Sequence, residues 1–282
     1  MKKSDYILKL PQFAKDLRLS EKSPNTIRKY LCDVQKFVDF IPEEEEITKE
    51  HVLTYKERLC FGKYKTSSIN TYLVILNHFH RWAIGPGLSV KEIKTQQKSS
   101  ISDVVSSSDA KRLLRYAKKR NREDIYLIMK ILSITGIRIS ELEYFTVENI
   151  QKYHFKVFNK GKEREILLTQ ELARELRKYC RDQHIREGKI FTLSIPTIWR
   201  QMKKTAGEAK VSLDKVHPHS FRHLFAKEFM EQYNNVLDLA DILGHRSLET
   251  TRIYTRSTLD EKRKKLENMR PRPKEREKGK TK

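Results

Sequence analysis

A chain of 282 residues, 38% apolar and 34% charged, has enough apolar side chain for two domains with separate cores, which excludes disorder throughout. No run of about 18 apolar residues is present to span a bilayer as a helix, and Met1-Lys2-Lys3-Ser4-Asp5 lacks the apolar stretch of a signal peptide, so the expected location is the cytoplasm. The formal charge of +22, from 59 Lys and Arg against 37 Asp and Glu, calls for a polyanionic partner, DNA or RNA first, and the three scattered cysteines (Cys32, Cys60, Cys180) suit neither a disulfide framework nor a zinc site.

In chain order, Ser23-Pro24 makes an N-cap with a first-turn proline, and Ile27, Tyr30, Leu31, Val34, Phe37, Val38 and Ile41 follow at helical spacing. Pro42 and the acidic run from Glu43 to Glu46 end that helix. After Thr66-Ser67-Ser68, a second periodic helix carries Ile69, Tyr72, Leu73, Leu76, Phe79 and Ala83 and stops at Gly85-Pro86-Gly87. Shorter helices are expected over 5–17 and 48–59, which makes residues 1–95 an all-helical domain. Polar residues dominate 91–108, with 96–107 as the linker itself.

Beyond the linker, Ser108 is the expected cap of a helix through Leu113, Leu114 and Ala117, and a second helix carries Ile125, Ile128, Ile131, Leu132 and Ile134. Two β-prone runs, 154–158 and 164–168, flank Asn159-Lys160-Gly161-Lys162, a sequence suited to a hairpin turn. Helices are expected over 170–183, 196–209, 218–233 and 235–243. The second domain, 108–270, therefore reads as mainly helical with one small antiparallel sheet, and 271–282 as a basic, disordered tail.

Four short sequences carry candidate chemistry. Thr135-Gly136-Ile137-Arg138-Ile139-Ser140-Glu141 breaks a helix at glycine before an arginine, and Lys160 sits at the hairpin tip. His217-Pro218-His219-Ser220-Phe221-Arg222-His223 places His219 and Arg222 three apart, on one helix face. Leu243-Gly244-His245 leads to Tyr254, nine residues after the histidine. Singly, each has an ordinary structural explanation; the ordered combination is what stands out. Two guanidinium groups would hold and neutralise a phosphate in line for attack without a metal, and a tyrosine hydroxyl needs a base to become a nucleophile. His219 is the first choice for that base. His217 and His223 flank the site; His217 reads as a surface residue before the helix, His223 as a packing group or a support behind the reacting residues, and Arg246, Arg252 and Arg256 as contacts to phosphate or solvent. No metal cluster and no phosphate-binding glycine loop is found, so no cofactor is expected.

With these residues in view, the chain resembles a tyrosine recombinase of the phage-integrase and Xer kind over essentially its whole length. The resemblance implies a helical core-binding domain joined to a mixed, mainly helical catalytic domain. It matches the catalytic set to Arg138, Lys160, His219, Arg222, His245 and Tyr254, with Lys160 as general acid for the leaving 5′ oxygen, His245 on a non-bridging oxygen and Glu141 supporting the first arginine. Asn159 departs from the glycine frequent before the lysine, which leaves the turn geometry open. The implied partner is double-stranded DNA with short inverted-repeat sites, bound by a homotetramer on two sites that is monomeric or weakly associated when free. The reaction would serve integration or excision of a mobile element, or multimer resolution. Segment 258–269, with Leu259, Leu266 and Met269, is either a helix exchanged between protomers or a plain amphipathic surface helix. Lys22, Arg28, Lys29, Lys63 and Lys65 are candidate phosphate contacts or solvated charges. A type IB topoisomerase and a catalytically silent DNA-binding protein are the competing readings.

Overall fold

Ser23 and Pro24 start a helix for two separate reasons: the Ser23 hydroxyl accepts from the Thr26 N–H at 3.3 Å, and Pro24 has no N–H to leave unsatisfied in the first turn. The computed structural model describes residues 1–43, 46–94, 104–159 and 162–244 together with Leu248, Thr251, Tyr254 and Glu267. The chain divides into two units, Met1–Gln97 and Lys98–Lys282. The segment 258–269 lies outside the described residues apart from Glu267.

The first unit contains α1 (Lys3–Leu19), α2 (Pro24–Phe40), α3 (Lys49–Phe61) and α4 (Thr66–Ala83). Each turns an apolar stripe inward: Tyr6, Phe13 and Leu17 from α1; Val34, Phe37 and Val38 from α2; Val52 and Leu59 from α3; Leu73, Leu76 and Phe79 from α4. Lys29, a candidate phosphate contact, is half exposed and pairs with the buried Asp33 at 2.6 Å. The polar connector begins later than its composition suggests. Asn77 exchanges two hydrogen bonds with the backbone of Val90, at 2.8 and 2.9 Å. Asn70 does the same with Ile93, both at 2.9 Å. These two α4 side chains, seven residues apart and hence on one face, fasten the chain to the first unit through at least Ile93.

The second unit contains α5 (Ser107–Lys119), α6 (Glu123–Thr135), a hairpin of β1 (His154–Asn159) and β2 (Lys162–Leu167), then α7 (Gln170–Asp182), α8 (Ile195–Glu208), α9 (Pro218–Tyr233) and α10 (Val236–Leu243). The cap of α5 is Ser106, not Ser108: its hydroxyl accepts from the Asp109 N–H at 3.1 Å, and the helix starts at Ser107. Helix α6 is apolar over most of its surface, with Ile125, Leu127, Ile128, Met129, Ile131 and Leu132 all buried, so it forms the centre against which α5, α8 and α9 pack. The antiparallel ladder pairs His154 with Leu167 and continues to Asn159 with Lys162, longer toward the tip than the two β-prone runs. Phe155, Val157 and Ile166 face the core, as strand alternation requires. The described chain thus has the expected class, mainly helical with a small antiparallel sheet.

Candidate active site

Helix α6 has to stop where it does. Gly136 caps it in the left-handed region at φ +59°, and a Cβ there would lie 2.4 Å from Phe225 Cδ1 and 2.9 Å from Leu243 Cδ2. The chain that leaves this turn carries Arg138. Glu141, three residues on, accepts from the Arg138 backbone N–H at 2.8 Å and from its Nη1 at 3.0 Å, which aims the side chain. The Arg138 side chain keeps 35% of its surface open.

The C-terminus of α10 organises the rest. Three successive carbonyls each accept from a different arginine: Ile242 from Arg164 Nη1, Leu243 from Arg222 Nη2 at 2.7 Å, and Gly244 from Arg138 Nη2 at 3.3 Å. Arg222, 1% exposed, also donates Nη1 to Gly136 O at 2.6 Å, so one side chain ties the ends of α6 and α10 together. A helix C-terminus presents unsatisfied carbonyls and the negative end of its dipole, which offsets part of the repulsion between three clustered cations. Glu141 supplies the compensating carboxylate, with Arg164 Nη2 at 2.5 Å from its Oε2. Burial alone would raise the Glu141 pKa, but the bonds to Arg164 and Arg138 override it and hold the group below the usual carboxylate value. Burial, then the nearby Arg138 and Arg164, pull Arg222 down to about 10, still ionised at neutral pH.

Helix α9 brings the histidines to this cluster. His217 is its N-cap, with Nδ1 accepting from the Ser220 N–H at 3.1 Å and its ring stacked on Trp199 at 6.1 Å, so it is a half-buried structural residue rather than the surface residue expected. His219 is exposed, yet loss of hydration, followed by the charges of Arg222, His217 and Arg138, lowers its pKa and keeps the imidazole neutral near pH 7. Its ring meets His223 edge to face at 4.4 Å. The Tyr254 hydroxyl lies 2.5 Å from His223 Nδ1. The base expected from the sequence is His219; the histidine in contact with the phenol is His223. Burial raises the Tyr254 pKa to about 12 despite the pull of Arg222. Lys160 and His245, along with Arg246, Arg252 and Arg256, lie outside the described residues.

A buried, doubly anchored guanidinium, a partly open one, a neutral imidazole and a phenol thus gather around the end of α10. Among the described residues no group of His, Cys, Asp and Glu is arranged to hold a metal ion. Residues 103–261 match the phage integrase family, and 10–87 match its N-terminal SAM-like domain. The chain belongs to the phage integrase family. It is therefore a tyrosine-type site-specific recombinase, and the topoisomerase and silent-binder readings are not favoured. Tyrosine recombinase XerA of Pyrococcus furiosus is 30% identical over 263 residues, 88% of this chain and 89% of that protein. Tyrosine recombinase XerD of Staphylococcus aureus is 26% identical over 279 residues, covering 89% and 94%. The solved lambda integrase dimer bound to a COC′ core site superposes with a TM-score of 0.74 over 90% of this chain and 95% of that one, at 17% identity.

Two residues of the recombinase's cluster went unread in the sequence. Arg164 looks like one more charge in a β-prone run, and nothing local announces that it reaches Glu141 and Ile242 across 23 and 78 residues. His223 follows Arg222 directly and invites the reading of a packing or supporting residue rather than one in contact with the phenol. The signal available was its place one helical turn after His219, which puts both rings on one side of α9. Glu141, read as support for the first arginine, does support it.

Proposed function

We propose that this recombinase cuts double-stranded DNA by attack of the Tyr254 hydroxyl on a phosphodiester held by Arg138, Arg222 and His219, with Lys160 and His245 completing the set. The observation that carries this reading is the convergence of Arg138, Arg222 and Tyr254, from three distant parts of the chain, at the end of one helix. The negative charge of the phosphate spreads over its oxygens as the phenol approaches, and fixed guanidinium donors lower that barrier without a metal. The Tyr254 oxygen bonds to phosphorus, the bond to the 5′ oxygen breaks, and that oxygen takes a proton from Lys160. A 3′-phosphotyrosine and a free 5′-hydroxyl remain. Because the phosphotyrosine conserves the energy of the broken bond, no nucleotide cofactor is needed.

The charge of +22 supports a duplex partner, bound mostly through its phosphates, with short inverted repeats as sites. Lambda integrase solved as a tetramer on a Holliday junction supports a tetramer on two sites. No helix among the described residues is long and apolar enough to cross a membrane, which fits work in the cytoplasm on a mobile element or a replicon multimer. A randomised pool of nicked duplexes tests the chemistry: the wild-type chain should become covalently joined to a selectable subset, whose sequencing gives the site. Tyr254→Phe should bind that subset and trap none of it; undiminished trapping would refute the assignment.

A further inference from the structure

We infer that His223, rather than His219, accepts the phenolic proton of Tyr254 as the strand is cut. The inference rests on Tyr254 being the nucleophile. Its ground is contact: Tyr254 Oη is 2.5 Å from His223 Nδ1, with ring centroids 5.5 Å apart, whereas His219 meets the edge of the His223 ring at 4.4 Å and is itself exposed. A general base must lie within hydrogen-bond reach of the proton it removes, and His223 does. In that role the phenol donates, Nδ1 carries the lone pair and the imidazole proton sits on Nε2.

The step balances. The Oη–H bond breaks and the proton moves to His223 Nδ1 while an oxygen lone pair forms the bond to phosphorus, and the leaving 5′ oxygen is protonated by the acid. On rejoining, the incoming 5′-hydroxyl returns its proton to the acid and the departing phenolate retrieves its own from His223. Transfer from Oη to Nδ1 leaves the net charge of the site unchanged. The charge of Arg222 acts on Tyr254, and Arg138 and Arg164 lie close enough to act on Arg222 in turn. His219 is then free to donate to a phosphate oxygen instead of receiving a proton.

The test is single-turnover cleavage of nicked duplexes selected by trapping on the wild-type chain. His223→Ala should cleave on the order of 10²-fold to 10⁴-fold more slowly while binding DNA within about twofold of the wild type, and added imidazole should restore much of the loss. His223→Asn, which offers an acceptor near the Nδ1 position but cannot take a proton, should stay at least about 10²-fold slow; it decides the matter if the alanine variant fails to melt cooperatively. Cleavage by His223→Asn at the wild-type rate, or imidazole rescue of His219→Ala but not of His223→Ala, would overturn the inference. Trapping by Tyr254→Phe would instead remove the reading beneath it, so the two failures are distinguishable.

Discussion

Arg222 combines a structural role with the phosphate contact proposed for it. Its two hydrogen bonds satisfy carbonyls at the ends of two helices while its charge faces Tyr254. A lysine would keep the charge but has a single ammonium in place of the planar fork, so it cannot reach both carbonyls together. Arg222→Lys is expected to destabilise the second unit by about 1–3 kcal/mol, because a buried carbonyl loses its partner. It should also slow cleavage by roughly 10²-fold, since one oriented donor to the phosphate is gone. Urea unfolding followed by Trp199 fluorescence in a Trp82→Phe background, alongside the trapping assay, separates the two effects. A loss of activity with unchanged stability would contradict the carbonyl bonds.

At the scale of elements, the meeting of α6, α9 and α10 depends on the space left by a missing side chain. Gly136 sits at φ +59° with Phe225 and Leu243 where a Cβ would be. Gly136→Ala therefore combines left-handed strain with overpacking, and a cost on the order of 3 kcal/mol is expected in urea unfolding. The same shift would separate Arg138 and Arg222 from the end of α10, so cleavage should fall further than the lost population of folded protein explains. The β-hairpin joins this arrangement through Arg164, whose side chain is 9% exposed and bridges β2 to Glu141 and to α10. Through it the strand that follows Lys160 is tied to the same carbonyl row as Arg138 and Arg222.

Across the whole molecule, the two units have separate cores, and a buried histidine ties the stability of the first to pH. In the first, His80 is fully buried against Tyr6, Phe37 and Phe79, and neither ring nitrogen has a hydrogen-bond partner among the described residues. Burial lowers its pKa from 6.5 to about 4. In that interval the unfolded chain binds the proton and the folded chain does not, so the stability tied to neutral His80 is complete above pH 6.5 and declines as the pH falls toward 4, by on the order of 3 kcal/mol. Each unit holds one tryptophan, Trp82 in the first and Trp199 in the second. In a Trp199→Phe background, the urea midpoint of the first unit should drop between pH 7 and pH 4.5 by more than it does in His80→Leu. Equal drops would show that His80 is not the group responsible.

Much of this was legible in the sequence. The helices α2, α4 and α6 could be read because burying a stripe, or a whole surface, forces a repeating apolar pattern on the chain. His245 lies outside the described residues; the ordered spacing of Arg138, His219, Arg222 and Tyr254 was legible because each sits at a set place in its own element, and folding brings those places to the end of α10. The row of carbonyls at Ile242, Leu243 and Gly244 was not, because backbone groups are the same at every position and only folding makes three of them special. Nor were Arg164 and His223, whose partners lie 23 and 31 residues away, Glu141 and Tyr254 respectively. Local pattern determines which elements form and which charges they carry; which lone pair meets which proton is settled only when the ends of those elements pack together.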